Sequence, residues 1–244
     1  MTPGANPLIV IQARCGSTRL PNKVLADLCG EPVLAWVIRR CIQSSQAGGV
    51  VVATSVLERD DAVAEISAGL QVPVFRGSET DVLSRYVEAA RSFSANVLVR
   101  VTADCPFVDP AVIDEVIGLH LASPGADYVG VRNYPEGLGA AEVLRVPALQ
   151  TALARTTPAD THYREHVMTF LTAHGSDFEL LTPEAPRHLQ RAGAHFSIDT
   201  PVDLENARKL AAFFHPSRSF HIDDILAWMD SAAAPKSTTA GQPD

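Results

Sequence analysis

The sequence predicts a three-layer α/β/α fold in which a mostly parallel β-sheet lies between two layers of helices. Short runs of apolar, β-branched residues alternate with longer amphipathic stretches through the first half of the chain, as in successive βα units. These runs are hydrophobic almost without interruption, which is typical of parallel strands buried on both faces. The chain has 244 residues, 46% of them hydrophobic, and these suffice for a substantial core.

The first half of the chain contains four predicted βα units. The predicted strands are 8–13, 50–54, 72–76 and 97–102. The predicted helices are 32–43, 60–70, 80–93 and the stretch that opens at Pro110. Asp109 followed by Pro110 is typical of an N-cap followed by a first-turn proline, and this pair marks the start of the last helix.

The second half has a less regular pattern. The predicted strands are 127–132, 142–146, 178–182 and 195–199, and the predicted helices are 147–156, 162–174, 200–214 and 222–232. Thr200 suits an N-cap with Pro201 after it and Asp203 three residues later. Residues 233–244 lack large apolar side chains, so we predict a disordered tail after a single domain that spans residues 1–232.

Charge and composition argue against several classes of function. The formal net charge of -8 disfavours general nucleic-acid binding, which needs a basic face. No apolar run approaches the ~20 residues of a membrane span, and no basic residue precedes the first apolar strand, as it would in a secretory signal. The four cysteines form no C-x-x-C pair, which indicates reduced thiols. We therefore expect a cytoplasmic protein that binds neither nucleic acid nor membrane.

A cationic loop follows the first predicted strand. The segment IQARCGSTRLPNK (11–23) contains Arg14, Arg19 and Lys23 and no acidic residue. Loops at the carboxyl ends of parallel strands commonly bind ligands. Guanidinium and ammonium groups there can neutralise a triphosphate. The alternative is a solvated basic turn, because charged clusters are common on protein surfaces.

The same loop offers uncharged donors to a phosphate. Gly16 allows backbone N–H groups to approach an anion closely, and Ser17 adds a hydroxyl. The segment matches neither the P-loop nor the dinucleotide-binding glycine pattern. A triphosphate site of another kind is therefore expected.

The segment IQARCGSTRLPNKVL (11–25) closely resembles the beginning of the cytidylyltransferase family, which includes CMP-KDO synthetase and CMP-acylneuraminate synthetase. The resemblance covers roughly residues 8–210 and is strongest to the spore coat polysaccharide biosynthesis protein F group. The further matching motifs are VPVFRGSETDVLSRY (72–86), VRVTADCPFVDP (99–110), YREHV (163–167) and SIDTPVDLE (197–205). The resemblance implies a nucleotide-diphospho-sugar-transferase (GT-A-like) fold with a mixed sheet. It also implies an enzyme that joins CTP to an acidic or deoxy sugar and releases pyrophosphate.

Two aspartates that are distant in the sequence resemble the metal ligands of the family. Asp104 matches the aspartate of its D-x-P segment, and Asp199 matches the one that opens D-T-P-x-D-L. Mg²⁺ bridges phosphate oxygens in nucleotidyl transfer and commonly takes one or two carboxylates. The alternatives are a turn aspartate at position 104 and helix-start chemistry at position 199.

Further polar residues are expected around the nucleotide. By resemblance, the segment after the third strand contacts the base or ribose, although Ser78 also suits a helix cap. Arg100 and Thr102 alternate to one face of their strand and are expected to line the pocket. The predicted nucleotide-binding set is Ala13, Gly16, Ser17, Arg76, Ser78, Asp81, Arg100 and Thr102.

The resemblance places Glu142, Arg164 and His166 near the acceptor, with Arg164 available for a substrate anion. The alternative for the last two is an exposed helix face with intrahelical neighbours. Gly139 stands where relatives often have an aspartate, and Glu142 comes one residue late, so the identity of the acceptor stays open.

The segment HYREH (162–166) also matches the zinc signature H-x-x-E-H. A zinc protease would use His162 and His166 as ligands, Glu165 as base and a third ligand downstream. The pattern is short and easily met by chance in a chain with eight histidines, so the family resemblance is the better interpretation.

These observations predict a Mg²⁺-dependent cytidylyltransferase that binds CTP and a small sugar-type acceptor. Arg14, Arg19 and Lys23 would hold the triphosphate and stabilise the leaving pyrophosphate. One alternative is a GT-A-type glycosyltransferase that uses a finished nucleotide sugar, and another is a non-catalytic nucleotide-binding domain. Relatives in this family are often dimers, so a homodimer is compatible with the resemblance.

Overall fold

The structure is a computed structural model that describes residues 7–217 and 219–231. The predicted tail, 233–244, lies outside the described residues. The strands are β1 (Leu8–Gln12), β2 (Asp27–Leu28), β3 (Glu31–Pro32), β4 (Gly49–Ser55), β5 (Val74–Gly77), β6 (Val97–Thr102), β7 (Tyr128–Gly130), β8 (Glu142–Arg145) and β9 (Leu180–Leu181). The helices are α1 (Val33–Cys41), α2 (Asp61–Gly69), α3 (Val82–Ser92), α4 (Pro110–Ala122), α5 (Val146–Arg155), α6 (Thr161–Glu165), α7 (Thr169–Ala173), α8 (Pro201–Phe214) and α9 (Ile222–Asp230).

The main sheet has seven strands in the order β5-β4-β1-β6-β8-β7-β9. Strands β5, β4, β1 and β6 are mutually parallel. Strand β8 runs antiparallel to both of its neighbours, and β7 pairs in parallel with β9. The predicted mostly parallel mixed sheet is thus confirmed. Strands β2 and β3 form a separate antiparallel hairpin that the sequence pattern did not reveal.

Helices cover both faces of the sheet, as the strand composition predicts. Along β1, Ile9 and Ile11 pack with α1, α2 and α4 on one face. Val10 points to the other face, where it packs with α3, α5 and α7. Successive residues of a strand point to opposite faces, so a strand that is apolar throughout needs a helical layer on each side. Among the described residues, no helix combines the length and the apolar character needed to cross a membrane.

A third apolar cluster joins the C-terminal helices to the first half of the chain. Trp36 of α1 and Phe107 pack with Leu210 of α8 and Trp228 of α9. Arg40 is fully buried beside this cluster and donates hydrogen bonds to the carbonyl oxygens of Val108 (3.0 Å) and Phe220 (2.7 Å). These contacts fix α8 and α9 against α1.

Two predicted elements differ from the structure. Residues 195–199 are not a strand, since their only ladder contact within the described chain is an isolated bridge between Glu136 and His195. The helix predicted at 162–174 is two short helices, α6 and α7, separated by a turn at 166–168. Buried Val167 lies in that turn, so the apolar spacing reflects two packing contacts rather than one continuous helix.

Candidate active site

The loop after β1 is tied to its neighbours through the backbone of Cys15. The N–H of Cys15 donates to Asp60 Oδ1 at 2.7 Å. Its carbonyl accepts from the N–H groups of Ser17 (2.9 Å) and Asn22 (3.1 Å). Asn22 has a φ of 58°, in the left-handed region that asparagine tolerates. This conformation turns the chain so that Lys23 begins a short 3₁₀ helix, Lys23–Leu25.

Lys23 bridges the two aspartates that were predicted to bind metal. Its Nζ lies 2.7 Å from Asp104 Oδ2 and 2.9 Å from Asp199 Oδ1. A guanidinium nitrogen of Arg19 lies 2.9 Å from the same oxygen of Asp199. The structure therefore brings together Arg19, Lys23, Asp104 and Asp199.

The topology of the sheet explains this convergence. Strands β1 and β6 are parallel neighbours, so the loop that contains Lys23 and the segment at Asp104 leave the same sheet edge. The N–H of Ile198 donates to the carbonyl of Asp104 at 2.8 Å, which brings Asp199 alongside. This single backbone contact connects two segments that the sequence places far apart.

Asp199 does not cap helix α8. Thr200 is the N-cap, and it forms a capping box in which Asp203 accepts a hydrogen bond from the N–H of Thr200 at 2.7 Å. The helix-start chemistry that was the alternative for Asp199 therefore belongs to its two neighbours. The carboxylate of Asp199 is left to contact the cations of the loop.

The ion pairs of Lys23 with the two aspartates shift the pKa values of Lys23 and Asp104. Burial alone would raise the pKa of Asp104, but the charge and hydrogen bond of Lys23 outweigh it, and the pKa of Asp104 is lowered. Burial would lower the pKa of Lys23, but Asp104 and Asp199 raise it. The carboxylate of Asp104 and the ammonium of Lys23 are therefore both charged at neutral pH.

This donor set fits a divalent cation such as Mg²⁺. Oxygens of Asp104 and Asp199 both lie within hydrogen-bonding distance of one positively charged atom, the Lys23 Nζ, which stands in for a cation. Carboxylate oxygens are the hard ligands that Mg²⁺ prefers, and it commonly uses one or two of them.

A second group of possible ligands adjoins Asp199 and was missed in the sequence. Ligand atoms of Glu136, His195 and Asp199 lie within 4.8 Å of one another. Among the described residues, this is the one group of three His, Cys, Asp or Glu side chains close enough together to hold a metal ion. It contains neither His162 nor His166. Within residues 7–217 and 219–231, no ligand triad forms around the H-x-x-E-H segment, and Glu165 instead pairs with Arg14 at 2.7 Å.

A pocket of about 440 Å³ opens beside the two aspartates. Arg100 and Glu142 lie in it and pair at 2.6 Å, and Tyr128 donates a hydrogen bond of 3.0 Å to the other oxygen of Glu142. Burial would lower the pKa of Arg100, but Glu142 outweighs it and raises the pKa. Thr102 also lines the pocket, so three predicted residues share it with Asp104 and Asp199.

Small residues make the wall of this pocket. Gly139, where relatives often have aspartate, lies against Tyr134, and a Cβ atom built on it would stand 2.5 Å from the Cβ of Tyr134. Gly137 has a φ of +87° and no room for a side chain beside the N–H of Ser197. Glycine at position 139, where relatives often have aspartate, therefore fits the close packing of Tyr134 against it.

Arg14 lies apart from the other two cations of the loop. It donates to the carbonyl of Glu79 at 3.1 Å and to Glu165 at 2.7 Å, toward α3 and α6. A Cβ atom at Gly16 would stand 2.6 Å from Oε1 of Glu79, so glycine leaves room for Glu79 against the loop. Ala13 is buried and its N–H donates to Ala53 at 3.1 Å.

Three residues of the predicted nucleotide-binding set form hydrogen bonds with other groups of the protein. Arg76 donates to the carbonyls of Ser55 (2.8 Å) and Leu57 (2.9 Å). Ser78 accepts from the N–H of Asp81 at 3.0 Å. Asp81 caps α3 through the N–H of Ser84 at 2.9 Å. Their contacts with a nucleotide stay a prediction.

The structure contradicts the expectation that Arg164 is available for a substrate anion. Its side chain is only 10% exposed, and its guanidinium contacts Asp81 at 2.6 Å together with Leu153 and Thr156. All of these partners belong to the packing of α3, α5 and the loop before α6, so Arg164 joins those elements. His166 is exposed and does not line the pocket of Asp104 and Asp199.

Comparisons with known proteins identify the family of this chain. Residues 8–222 match the family model described as Cytidylyltransferase. Spore coat polysaccharide biosynthesis protein SpsF of Bacillus subtilis is 35% identical over 207 residues, covering 83% of this chain and 85% of its own. A 3-deoxy-manno-octulosonate cytidylyltransferase of Rhodospirillum centenum is 33% identical over 215 residues, covering 84% and 79%.

A solved structure agrees as well. A cytidylyltransferase from Leptospira borgpetersenii superposes with a TM-score of 0.85 at 28% identity, over 92% of this chain and 94% of that one. Its fold is the nucleotidyltransferase fold that the sequence resemblance implied. From the family match over residues 8–222 and the relatives that span most of the chain, we conclude that this protein belongs to the cytidylyltransferase family of nucleotidyltransferases.

Proposed function

We propose that this chain transfers CMP from CTP to an oxygen of a sugar or sugar-acid acceptor, with release of pyrophosphate and with Mg²⁺ as cofactor. One observation supports this most directly: Lys23 joins Asp104 and Asp199 beside an open pocket. The relatives named for spore coat polysaccharide and for 3-deoxy-manno-octulosonate support a role in glycan precursor synthesis, and we propose that the reaction takes place in the cytoplasm.

In the proposed reaction the protein contributes positioning and charge. The oxygen of the acceptor hydroxyl forms a bond with the α-phosphorus and releases its proton to water, while the bond from that phosphorus to the pyrophosphate breaks. Arg14, Arg19 and Lys23 hold the triphosphate and neutralise the charge that develops on the leaving group. Asp104 and Asp199 would hold Mg²⁺, which when bound supplies a Lewis acid for the phosphate oxygens.

The acceptor is proposed to occupy the pocket that contains Arg100, Glu142 and Tyr128, so that Arg100 contacts the acceptor and not the nucleotide expected from the sequence. These side chains lie beside Asp104 and Asp199, where the reacting oxygen must meet the α-phosphate. A paired arginine and glutamate offer both donors and acceptors, which suits sugar hydroxyl groups. The nucleotide is proposed to lie on the other side of the loop, toward Ser78, with backbone groups of Ala13, Gly16 and Ser17 near its phosphates.

The proposal is tested by pyrophosphate release from each of the four NTPs, with Mg²⁺, against a panel of acidic sugars that includes 3-deoxy-manno-octulosonate. We expect turnover with CTP, loss of turnover in excess EDTA, and a loss of roughly 100-fold or more in Asp104→Asn, because a metal ligand is removed. Sugar transfer from a nucleotide sugar without pyrophosphate release would support the glycosyltransferase alternative. CTP binding without turnover, unchanged in Asp104→Asn, would support the non-catalytic alternative.

A further inference from the structure

A buried carboxylate lies beneath the phosphate loop and has no part in the proposed reaction. Asp60 follows β4 and stands at the N-cap position of α2, yet its side chain makes no capping hydrogen bond with that helix. The residue is 0% exposed. An aspartate at this position normally caps its own helix, so the inward orientation requires another explanation.

The carboxylate of Asp60 is used instead to hold the loop. Oδ1 accepts the hydrogen bond from the N–H of Cys15 at 2.7 Å, and Oδ2 accepts one from the hydroxyl of Ser55. The carbonyl of Cys15 in turn accepts from Ser17 and Asn22, and Asn22 directly precedes Lys23. The backbone of Cys15 therefore connects Asp60 to two other points of the loop, Ser17 and Asn22.

The electrostatics of Asp60 agree with this role. Burial would raise the pKa of the carboxyl group, but the hydrogen bonds from Ser55 and Cys15 outweigh it and lower the pKa. An ionised acceptor makes a shorter and stronger hydrogen bond than a neutral one. Burial and the neighbouring Asp60 raise the pKa of the Cys15 thiol to about 12, so the residue acts through its backbone and not as a thiolate.

We propose that Asp60 is a positioning residue that fixes the phosphate loop, residues 13–23, in the conformation that receives a nucleoside triphosphate. The identity of that ligand as CTP rests on the proposed function, whereas the effect of Asp60 on the loop does not. Removal of the carboxylate leaves the N–H of Cys15 without its buried acceptor, which costs more than the loss of an exposed hydrogen bond. The loop then samples conformations in which Lys23 and the backbone donors no longer converge.

Asp114 provides a matched control elsewhere in the fold. Its carboxylate on α4 accepts hydrogen bonds from the backbone N–H groups of Ser45 (3.0 Å) and Gln46 (3.1 Å) and from two serine hydroxyls. The loop that it holds precedes β4, whereas Asp60 follows β4, so the two sites lie at opposite ends of one strand. Both aspartates have a lowered pKa for the same reason, hydrogen bonds that outweigh burial.

The experiment compares Asp60→Ala, Asp60→Asn and Asp114→Ala with the wild-type protein. Amide hydrogen exchange of residues 13–23 is measured without ligand, and the Kd for CTP with Mg²⁺ is measured by calorimetry. We expect Asp60→Ala to accelerate exchange in the loop and to raise the Kd roughly tenfold or more. We expect a smaller effect in Asp60→Asn, which keeps an acceptor for Cys15. Asp114→Ala should accelerate exchange only around residues 44–47 and leave the Kd within about twofold.

Each result decides one question. Unchanged exchange of residues 13–23 in Asp60→Ala, or equal acceleration in Asp114→Ala, would overturn the proposed role. Thermal unfolding of all variants shows whether any loss of CTP binding comes from loss of the fold. A wild-type protein that binds no CTP would overturn the proposed function, while the exchange measurement on the unliganded loop would still decide the role of Asp60.

Discussion

In the unliganded site, the ammonium group of Lys23 forms ion pairs with both Asp104 and Asp199. Its ammonium group compensates two partly buried carboxylates that would otherwise repel each other. Under the proposed function, a triphosphate and a divalent cation would arrive together, so that Lys23 exchanges its carboxylates for phosphate oxygens while Asp104 and Asp199 gain a metal. In the unliganded site, Lys23 and Arg19 together offset the charges of Asp104 and Asp199, which allows the site to remain ordered before the nucleotide binds.

Replacement of Lys23 should reveal this balance as a pH-dependent stability. We expect Lys23→Met to lower the free energy of unfolding by about 3 kcal/mol at pH 7, because it leaves two carboxylates without their shared cation. The pKa of Asp104 is lowered in the folded protein. Such a carboxyl stabilises the fold above its unfolded pKa, and the contribution is lost as the pH falls through its folded pKa. The difference between the variant and the wild-type protein should therefore shrink below about pH 4 in chemical denaturation experiments.

Arg39→Met provides the control for this measurement. Arg39 pairs with Glu31 at 3.1 Å, and its side chain is 40% exposed, whereas that of Lys23 is 11% exposed. An exposed pair contributes little, so we expect a loss below about 1 kcal/mol with weak pH dependence. Equal losses in the two variants, or a Lys23→Met effect that persists unchanged at low pH, would contradict the account given for Asp104.

The individual residues of the site differ in how far the sequence could reveal them. The sequence pointed to Lys23, Asp104 and Asp199 because each lies in or after a segment that follows a predicted strand, and the two aspartates also match family motifs. The metal-binding roles of the aspartates stay predictions. Arg164 was misjudged because a motif shows which residue is present but not whether its guanidinium is already bonded inside the protein. Tyr128 and Asp60 were missed because their partners, Glu142 and Cys15, are reached only by strand pairing or loop packing.

At the scale of elements, the start of α8 separates the cap from the proposed metal ligand. Thr200 and Asp203 satisfy each other's backbone N–H groups in the capping box. The N–H of Asp199 also donates to Asp203 at 3.1 Å, so the first turn of the helix orients the residue before it. The sequence D-T-P-V-D therefore combines a helix cap, formed by Thr200 and Asp203, with a proposed metal ligand at Asp199, and composition alone does not separate the two.

Thr200→Ala tests the capping box. The substitution removes the hydroxyl that accepts from the N–H of Asp203, and we expect it to cost about 1 kcal/mol in urea denaturation. Thr200→Ser keeps the hydroxyl and should restore most of the stability. If the serine variant is as unstable as the alanine variant, then the methyl group of Thr200 and not its hydroxyl stabilises this helix start.

The junction between α3 and α6 depends on Arg164, and its role is testable by separating stability from substrate affinity. We expect Arg164→Met to lower the free energy of unfolding by about 3 kcal/mol, because Asp81 and two backbone carbonyls lose a buried partner. The KM for the acceptor, measured by pyrophosphate release on the folded variant, should stay within about twofold of the wild-type value. A large increase in this KM with unchanged stability would restore Arg164 as a ligand of the substrate anion.

At the scale of the whole molecule, the parallel half of the sheet was predictable and the antiparallel insertion was not. Strands β1, β4, β5 and β6 each follow the alternation of strand and helix that the sequence displays. Strand β8 enters between β6 and β7 and reverses direction, a pairing that depends on long-range register and not on local composition. The hairpin β2/β3 is too short for a periodic signal. Residues 195–199 have the composition of a strand, but within the described residues they form one isolated bridge and no strand.

The prediction of a single domain can be tested through the third apolar cluster, which contains both tryptophans of the chain. Trp36 lies on α1 and Trp228 on α9, and Arg40 of α1 donates a hydrogen bond of 2.7 Å to the carbonyl of Phe220 in the same region. Because these contacts join the last helices to the first, we expect one cooperative unfolding transition, with tryptophan fluorescence and far-UV circular dichroism giving the same midpoint. Trp228→Ala should lower the free energy of unfolding by about 3 kcal/mol or more, and the midpoints of both signals should move together. An early fluorescence transition that leaves most of the far-UV signal intact would instead show that α8 and α9 unfold separately from the sheet.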